Sequence, residues 1–207
     1  MAPVVLDVDA APEVVDVLCE AFYDYPVMRF VLGSPSDYTA RLHELMTVYV
    51  MARVLRDEVM IGVPGPTALL AAATVSYPGQ RESPPELGEL RERTWDSLGS
   101  AARSRYESFG AANAPFEVEA PHIHLGMIGV RSEAKGSGLG GAMMRAVHDL
   151  SEKVPWSTGV TLTTELEANL SFYEHFGYDR VGSARVGSAR VDAELTTWGF
   201  FRPDPAC

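Results

Sequence analysis

The stretch HIHLGMIGVRSEAKGSGLGGAMMRAVHDL, residues 122–150, decides the fold. It opens on HIHLGMIGV, an apolar run of strand length. It closes on Leu139, Ala142, Met143, Ala146, Val147 and Leu150, which recur at i, i+3, i+4, i+7, i+8 and i+11 as the buried stripe of an amphipathic helix. Between the two lies a loop with glycines at 136, 138, 140 and 141. The helix therefore begins within GSGLGG, where the first backbone N–H groups have no intrahelical acceptor. Glycine removes the Cβ atoms that would hold a large anion away, and the positive end of the helix completes a cradle for phosphate. Arg131, Lys135 and Arg145 add positive charge nearby. A turn that only packs tightly is the plain alternative, but so many adjacent glycines cost backbone entropy without need.

Gly136, Gly138 and Gly141 also match G-x-G-x-x-G, with Glu165 about twenty residues further on. An NAD(P)-binding oxidoreductase is thus an alternative. Its fold turns on the first glycine directly at the strand end. Here RSEAK separates Val130 from Gly136, and the remaining chain has room for one more strand–helix–strand unit at most. No G-x-x-x-x-G-K-[ST] string is present, which excludes a P-loop.

The rest of the chain reads as one domain over residues 1–207, helical in front and sheet-rich behind. The 46% apolar share of the 207 residues is too high for disorder, and no apolar run approaches the ~20 residues of a membrane span. A net charge of −11 argues against gripping nucleic acid or an anionic membrane. The start MAPVVLDVDA shows no secretory pattern, so a cytoplasmic location is the default. Cys19 and Cys207 are too few for a disulfide framework.

A first strand is expected over Val4 to Val8 and a helix from Ala11 that ends at Pro26. A second helix follows Ser36 as its cap, through Leu42, Leu45, Met46, Tyr49 and Val50. Strands near 58–63 and 67–77 come next, and 78–121 reads as an inserted helix with loops. Strands near 158–164 and over 178–202, with a short helix near 168–176, complete the chain. VGSAR occurs twice, at 181–185 and 186–190. A period of five conflicts with the alternation of a strand, so Val181 and Val186 would face opposite ways. A bulge or turn at Gly187-Ser188, or a second copy lying beyond the sheet, would resolve the conflict.

With IGV, a short spacer and then KGSGLGG, and with ANLSFYEHFGY at 168–178, the chain resembles the GNAT family of N-acetyltransferases. Lys135 stands where Gln or Arg is usual. AFYDYPVMRF (21–30) and TTWGFFRP (196–203) resemble the puromycin N-acetyltransferase branch, with about one extra VGSAR copy before TTW. The resemblance implies an α/β fold with a mixed, mostly antiparallel sheet flanked by helices and a helical insert before the cofactor strand. It implies acetyl-CoA as acyl donor, held by the backbone of Ile128, Gly129 and Val130, by Lys135, Gly136, Ser137, Gly138, Leu139, Gly140 and Gly141, and by Asn169. Gly126 and Gly129 agree with close approach of another backbone. The strand is expected to splay from its neighbour there.

Tyr173 occupies the family's general-acid position, and a phenol is protonated at neutral pH. A core aromatic packed on Phe172 and Phe176 is its plain alternative, and a helix cap is that of Asn169. His124 resembles a histidine that serotonin N-acetyltransferases use in proton removal, and histidine titrates near neutrality. On an ideal strand His122, His124 and Val130 share one face. Glu165 and Asp24 are alternative bases, although some relatives carry their glutamate at the position of Thr163. His122-x-His124 lacks a persuasive third metal ligand, and no metal is expected. Phe22, Asp24, Tyr25 and the insert are expected to wall a pocket for the primary amine of a small molecule. A non-catalytic acyl-CoA-binding module of the same fold is the second reading, and a homodimer is left open.

Overall fold

The apolar runs of the back half and of residues 58–77 enter one sheet, whose central strands are covered on both faces. The computed structural model describes residues 1–188 and 191–205. Among them the strands are β1 (Val4–Leu6), β2 (Val59–Pro64), β3 (Leu69–Ser76), β4 (Ile123–Val130), β5 (Gly159–Thr164), β6 (Asp179–Ser188) and β7 (Val191–Pro203), in the order β1-β2-β3-β4-β5-β7-β6. Among the described residues only β4 and β5 pair in parallel. A sheet with a single parallel pair is not the repeated parallel array of a dinucleotide-binding fold.

The helices are α1 (Ala11–Ala21), α2 (Pro26–Leu32), α3 (Tyr38–Leu55), α4 (Pro85–Leu98), α5 (Ser100–Asn113), α6 (Leu139–Lys153) and α7 (Leu170–His175). Leu18, Val31, Leu42, Met46 and Leu98 pack with Ala72 and Met127 on one face of the sheet. Met143, Val147 and Leu170 pack with Ala71, Ala73, Ile123 and Leu125 on the other. Strand β3 thus sends residues into two cores, which is why LLAAA (69–73) is apolar throughout.

Four expectations are corrected. Pro26 does not end the first helix, which stops at Ala21, but opens α2 from its first position, where a missing N–H costs nothing. The insert is two helices, because Gly99 at φ 85° breaks the run and caps α4. Ser36 is not the cap of α3, whose preceding residue is Asp37. The first strand is also shorter than expected, since Asp7 accepts from the Asp9 amide and turns Val8–Ala10 into a 3-10 turn.

Strand β4 carries a bulge. Thr74 faces Met127 and Val75 faces Leu125, so Gly126 has no partner across the pair. The extra residue reverses the alternation. Ile123 and Leu125 before it, and Ile128 and Val130 after it, all turn toward α6, while Met127 turns toward α1. His124 and Val130 therefore lie on opposite faces, not on one. Strand β6 is irregular at Val181 and again between Val186 and Ser188. Val181 is exposed and Val186 buried, as the five-residue period requires. Residues 189, 190 and Cys207 lie outside the described residues.

Gly129 answers a different need from the expected one. A Cβ there would sit 2.7 Å from Ala21 Cβ and 3.4 Å from Leu18 Cδ2, so the glycine lets α1 lie close against β4. Because Ala21 sits on a helix backbone with no rotamer to move, Gly129→Ala is expected to cost about 1–3 kcal/mol by overpacking. Urea unfolding measures this, and an unchanged midpoint would contradict the packing role.

Candidate active site

The pairing of β4 with β5 covers only Ile123–Val160, His124–Thr161 and Leu125–Leu162. Beyond it β4 continues to Val130 along β3, and β5 continues to Thr164 along β7. The facing edges of the two strands have no strand partner there, and the expected splay is present. A cavity of about 340 Å³ fills the gap. Gly126, Met127 and Ile128 from β4, Thr163 from β5, and Glu165 just after it form its strand walls. Asn169 and Tyr173 close one side, while Tyr25, Tyr49, Arg53, Tyr106 and Phe109 come from the helical face. A second space of about 680 Å³, lined by Gln80, Phe116, Glu117 and Glu119, shares His124, Tyr106 and Phe109 with the first.

The connection between α1 and α2 is tied to the end of β5. The Tyr25 hydroxyl lies 2.9 Å from Thr164 Oγ1 and accepts from the Glu165 amide at 3.2 Å. Asn169 Nδ2 donates to the same Thr164 oxygen at 3.2 Å. Asn169 thus makes no capping bond to α7. The Tyr173 ring is buried against Phe172, Tyr178 and Phe200, yet its hydroxyl makes no hydrogen bond among the described residues. Burial, then the nearby Glu165 carboxyl, pushes this phenol up to about 12.

Glu165 is itself 9% exposed. Burial raises its carboxyl to about 7, with the Thr197 and Tyr25 hydroxyls pulling the other way. His124 Nδ1 lies within hydrogen-bond distance of Thr161 Oγ1 at 3.0 Å, and burial, then Arg53, lowers the imidazole to about 4. The imidazole is therefore neutral at physiological pH. Arg53 faces the cavity but is paired with Glu58 at 2.8 Å. Asp24 stays outside, paired with Arg29 at 2.6 Å on the surface.

The glycine loop sits on the other side of α7. Gly136 and Gly138 have φ of 78° and 81°, which a side chain would strain. A Cβ on Gly141 would come within 3.2 Å of Phe176, so that glycine seats α6 against α7. The amides of Gly136, Gly138, Leu139, Gly140 and Gly141 have no main-chain acceptor among the described residues, whereas Ser137 donates to Ala134. Lys135 and Ser137 are exposed beside them. Five N–H groups without main-chain acceptors, at and just before the start of a 15-residue helix, suit a diphosphate. Lys135 and Arg145 form no ion pair among the described residues, whereas Arg131 is spent on Glu20 at 2.8 Å and on the Leu69 carbonyl.

Residues 89–189 match the family described as the acetyltransferase (GNAT) domain. The chain has the GNAT acetyltransferase fold. Solved structures agree along its whole length. A Corynebacterium glutamicum protein described as histone acetyltransferase HPA2 and related acetyltransferase is 21% identical, with 100% of this chain and 99% of that one covered and a TM-score of 0.64. The polyamine N-acetyltransferase of Drosophila melanogaster is 14% identical over 97% of this chain and 99% of its own, with a TM-score of 0.67. Arylalkylamine N-acetyltransferase 2 of Aedes aegypti is 11% identical over 98% of both, with a TM-score of 0.61.

In this GNAT fold the structure brings Ile128, Asn169, Tyr173 and His124 to one cavity. Residues 135–141 sit at the neighbouring helix start, Gly129 faces α1, and Val130 faces the α6 core. Sequence reasoning missed Tyr49 and Arg53 on α3, Asn113 on the insert and Thr197 on β7. Tyr49 and Arg53 stand four apart among apolar residues, a signal that α3 presents a polar pair inward. No local pattern marks Asn113 or Thr197. Among the described residues no three His, Cys, Asp or Glu side chains gather as metal ligands, and no helix is long and apolar enough to cross a membrane.

The raised carboxyl of Glu165 has a sign that can be checked. The folded state favours the protonated acid, so the native protein loses stability as pH rises from 4.5 to about 7 and then levels off. Glu165→Gln cannot ionise. Its stability relative to wild type should climb over that interval by on the order of 3 kcal/mol. Urea unfolding at the two ends of the range measures it, and a difference independent of pH would contradict the burial of an ionisable carboxyl.

Proposed function

We propose that the chain transfers an acetyl group from acetyl-CoA to the primary amine of a small molecule, with Tyr173 as general acid. The observation that carries this reading is the slot between β4 and β5, bordered by a buried tyrosine whose hydroxyl has no partner among the described residues and lying one helix away from a cluster of amides likewise unpaired there. Bound acetyl-CoA supplies the activated thioester.

The loop amides from Gly136 to Gly141 would hold its diphosphate, with Lys135 adding charge. The unpaired edge of β4 from Gly126 to Val130 offers main-chain groups to an extended pantetheine arm and a donor to the acetyl oxygen. Asn169 faces the same slot. Tyr173 is protonated throughout the physiological range and gives its proton to sulfur as the carbon–sulfur bond breaks. A phenol so weakly acidic does this only as charge develops on sulfur, which ties donation to the bond-breaking step.

The acceptor would enter through the larger space beside it. Tyr106, Phe109, Phe116 and Phe200 line that space, with Glu107, Glu117 and Glu119 around it. This lining suits an amine carrying an apolar or cationic arm. Polyamine and arylalkylamine N-acetyltransferases share the fold and support an amine acceptor. A cytoplasmic setting, where acetyl-CoA is made and used, agrees with this reading.

Tyr173→Phe is the test. Turnover of an amine, followed by release of free thiol, should fall about 10²-fold or more. Acetyl-CoA affinity by calorimetry should stay within about two-fold, because the lost hydroxyl acts in the transition state and not in ground-state binding. Undiminished turnover would remove the acid role. Absence of acetyl-CoA binding by the wild type would remove the whole reading.

A further inference from the structure

We propose that the Glu165 carboxylate takes the proton from the acceptor ammonium, and that Thr197 and Asn113 hold it for that task. The inference rests on the acetyl-transfer reading above.

Glu165 is the one carboxylate among the residues lining the cavity in the slot. Its Oε1 receives a hydrogen bond from Thr197 Oγ1 at 2.9 Å, and its Oε2 makes none among the described residues. Oε2 is thus the oxygen left to an incoming amine. The other titratable groups lining the same cavity are Tyr25, Tyr49, Arg53, Tyr106, His124 and Tyr173. Tyr25, Tyr49 and Tyr173 are protonated at neutral pH, and the Arg53 charge is met by Glu58. An arriving ammonium would find no other carboxylate there.

A proton count around Thr197 shows how the site serves two states. Thr197 Oγ1 also lies 2.9 Å from Asn113 Oδ1. The orientation of that amide is fixed, because Asn113 Nδ2 donates to the Phe109 carbonyl at 2.9 Å. A hydroxyl has one proton and cannot satisfy both oxygens. With Glu165 ionised, Thr197 donates to the carboxylate. With Glu165 protonated on Oε2, a half-turn of the carboxyl presents the new O–H to Thr197, and Thr197 donates to Asn113, so every member is satisfied. Rotation of the carboxyl and of one hydroxyl accommodates uptake and release, and the extra bond favours uptake. Burial acts in the same direction and places the carboxyl near neutrality, where a base is most useful. His124 faces the opposite situation: its lowered basicity makes it a poor acceptor for an ammonium proton.

The protons balance as follows. The bound ammonium passes one proton to Glu165 and becomes a neutral amine. Its nitrogen bonds to the acetyl carbon, the carbon–sulfur bond breaks, and Tyr173 protonates the departing sulfur. The second nitrogen proton restores Tyr173, and Glu165 returns its own to solvent. The products are the amide, free thiol and one proton.

The test uses the most active amine from a panel of polyamines, arylalkylamines, aminoglycosides and aminonucleosides. In wild type, kcat/KM should rise with pH through about 7. Glu165→Gln should lose about 10²-fold or more and this acid limb, with acetyl-CoA affinity within about two-fold. His124→Asn should keep the limb. Asn113→Ala should move it to lower pH, because Thr197 is then left to the carboxylate alone, a shift that a purely structural residue would not cause. An infrared titration needs no substrate: the protonated-carboxyl stretch absent from Glu165→Gln should vanish across about pH 7. Glu165→Gln within about three-fold of wild type, a limb that follows His124, or a stretch lost near pH 4.5 overturns the proposal while leaving the acetyl-transfer reading intact. A wild type that turns over no amine overturns both, even if the stretch titrates near neutrality.

Discussion

The parting of β4 from β5 after three residue pairs is the constraint on which the rest of the molecule depends. A parallel pair that continued would bury both strand edges in hydrogen bonds and leave no slot. The bulge at Gly126 makes the parting compatible with a filled core. By adding one residue it turns Ile128 and Val130 back toward α6, so the strand bends away from β5 without exposing its apolar side chains. The same bend exposes a stretch of main chain, and the fold spends no further side chains on creating it.

What lines the slot is held by ties between distant parts of the chain. Tyr25, from the connection between the first two helices, grips the end of β5 through Thr164 and the Glu165 amide. Asn113, from the end of the insert, reaches Thr197 on β7. Each tie joins the helical face to the half of the sheet beyond the slot, across which strand pairing is missing. The result is a small, poorly solvated chamber whose hydroxyls stay protonated and whose one carboxyl is raised. In such surroundings a proton moves between few partners, and geometry decides which.

The glycine loop was largely legible, and partly for the wrong reason. Gly136 and Gly138 serve left-handed turns and leave amides free, as the pattern implies. Gly141 and Gly129 serve helix packing, against Phe176 and against Ala21. A sequence shows that a Cβ is missing, but not which neighbour required its absence. Arg131 illustrates the same limit: its charge is adjacent to the loop in sequence and neutralised by Glu20 in space. Pro26 read as a terminator because proline does end helices, and it opens α2 because it also suits a first turn.

The sequence by itself determined the amphipathic α6, the glycine-rich start before it, the apolar strands on either side and the aromatic helix carrying Tyr173. Each of these is a local pattern whose period matches the geometry of one element. The tertiary structure alone decided that β4 bulges, that His124 and Val130 face apart, and that Glu165 meets Thr197 and Asn113. Register, burial and the fate of a single hydroxyl proton depend on residues far apart along the chain, and no local period encodes them.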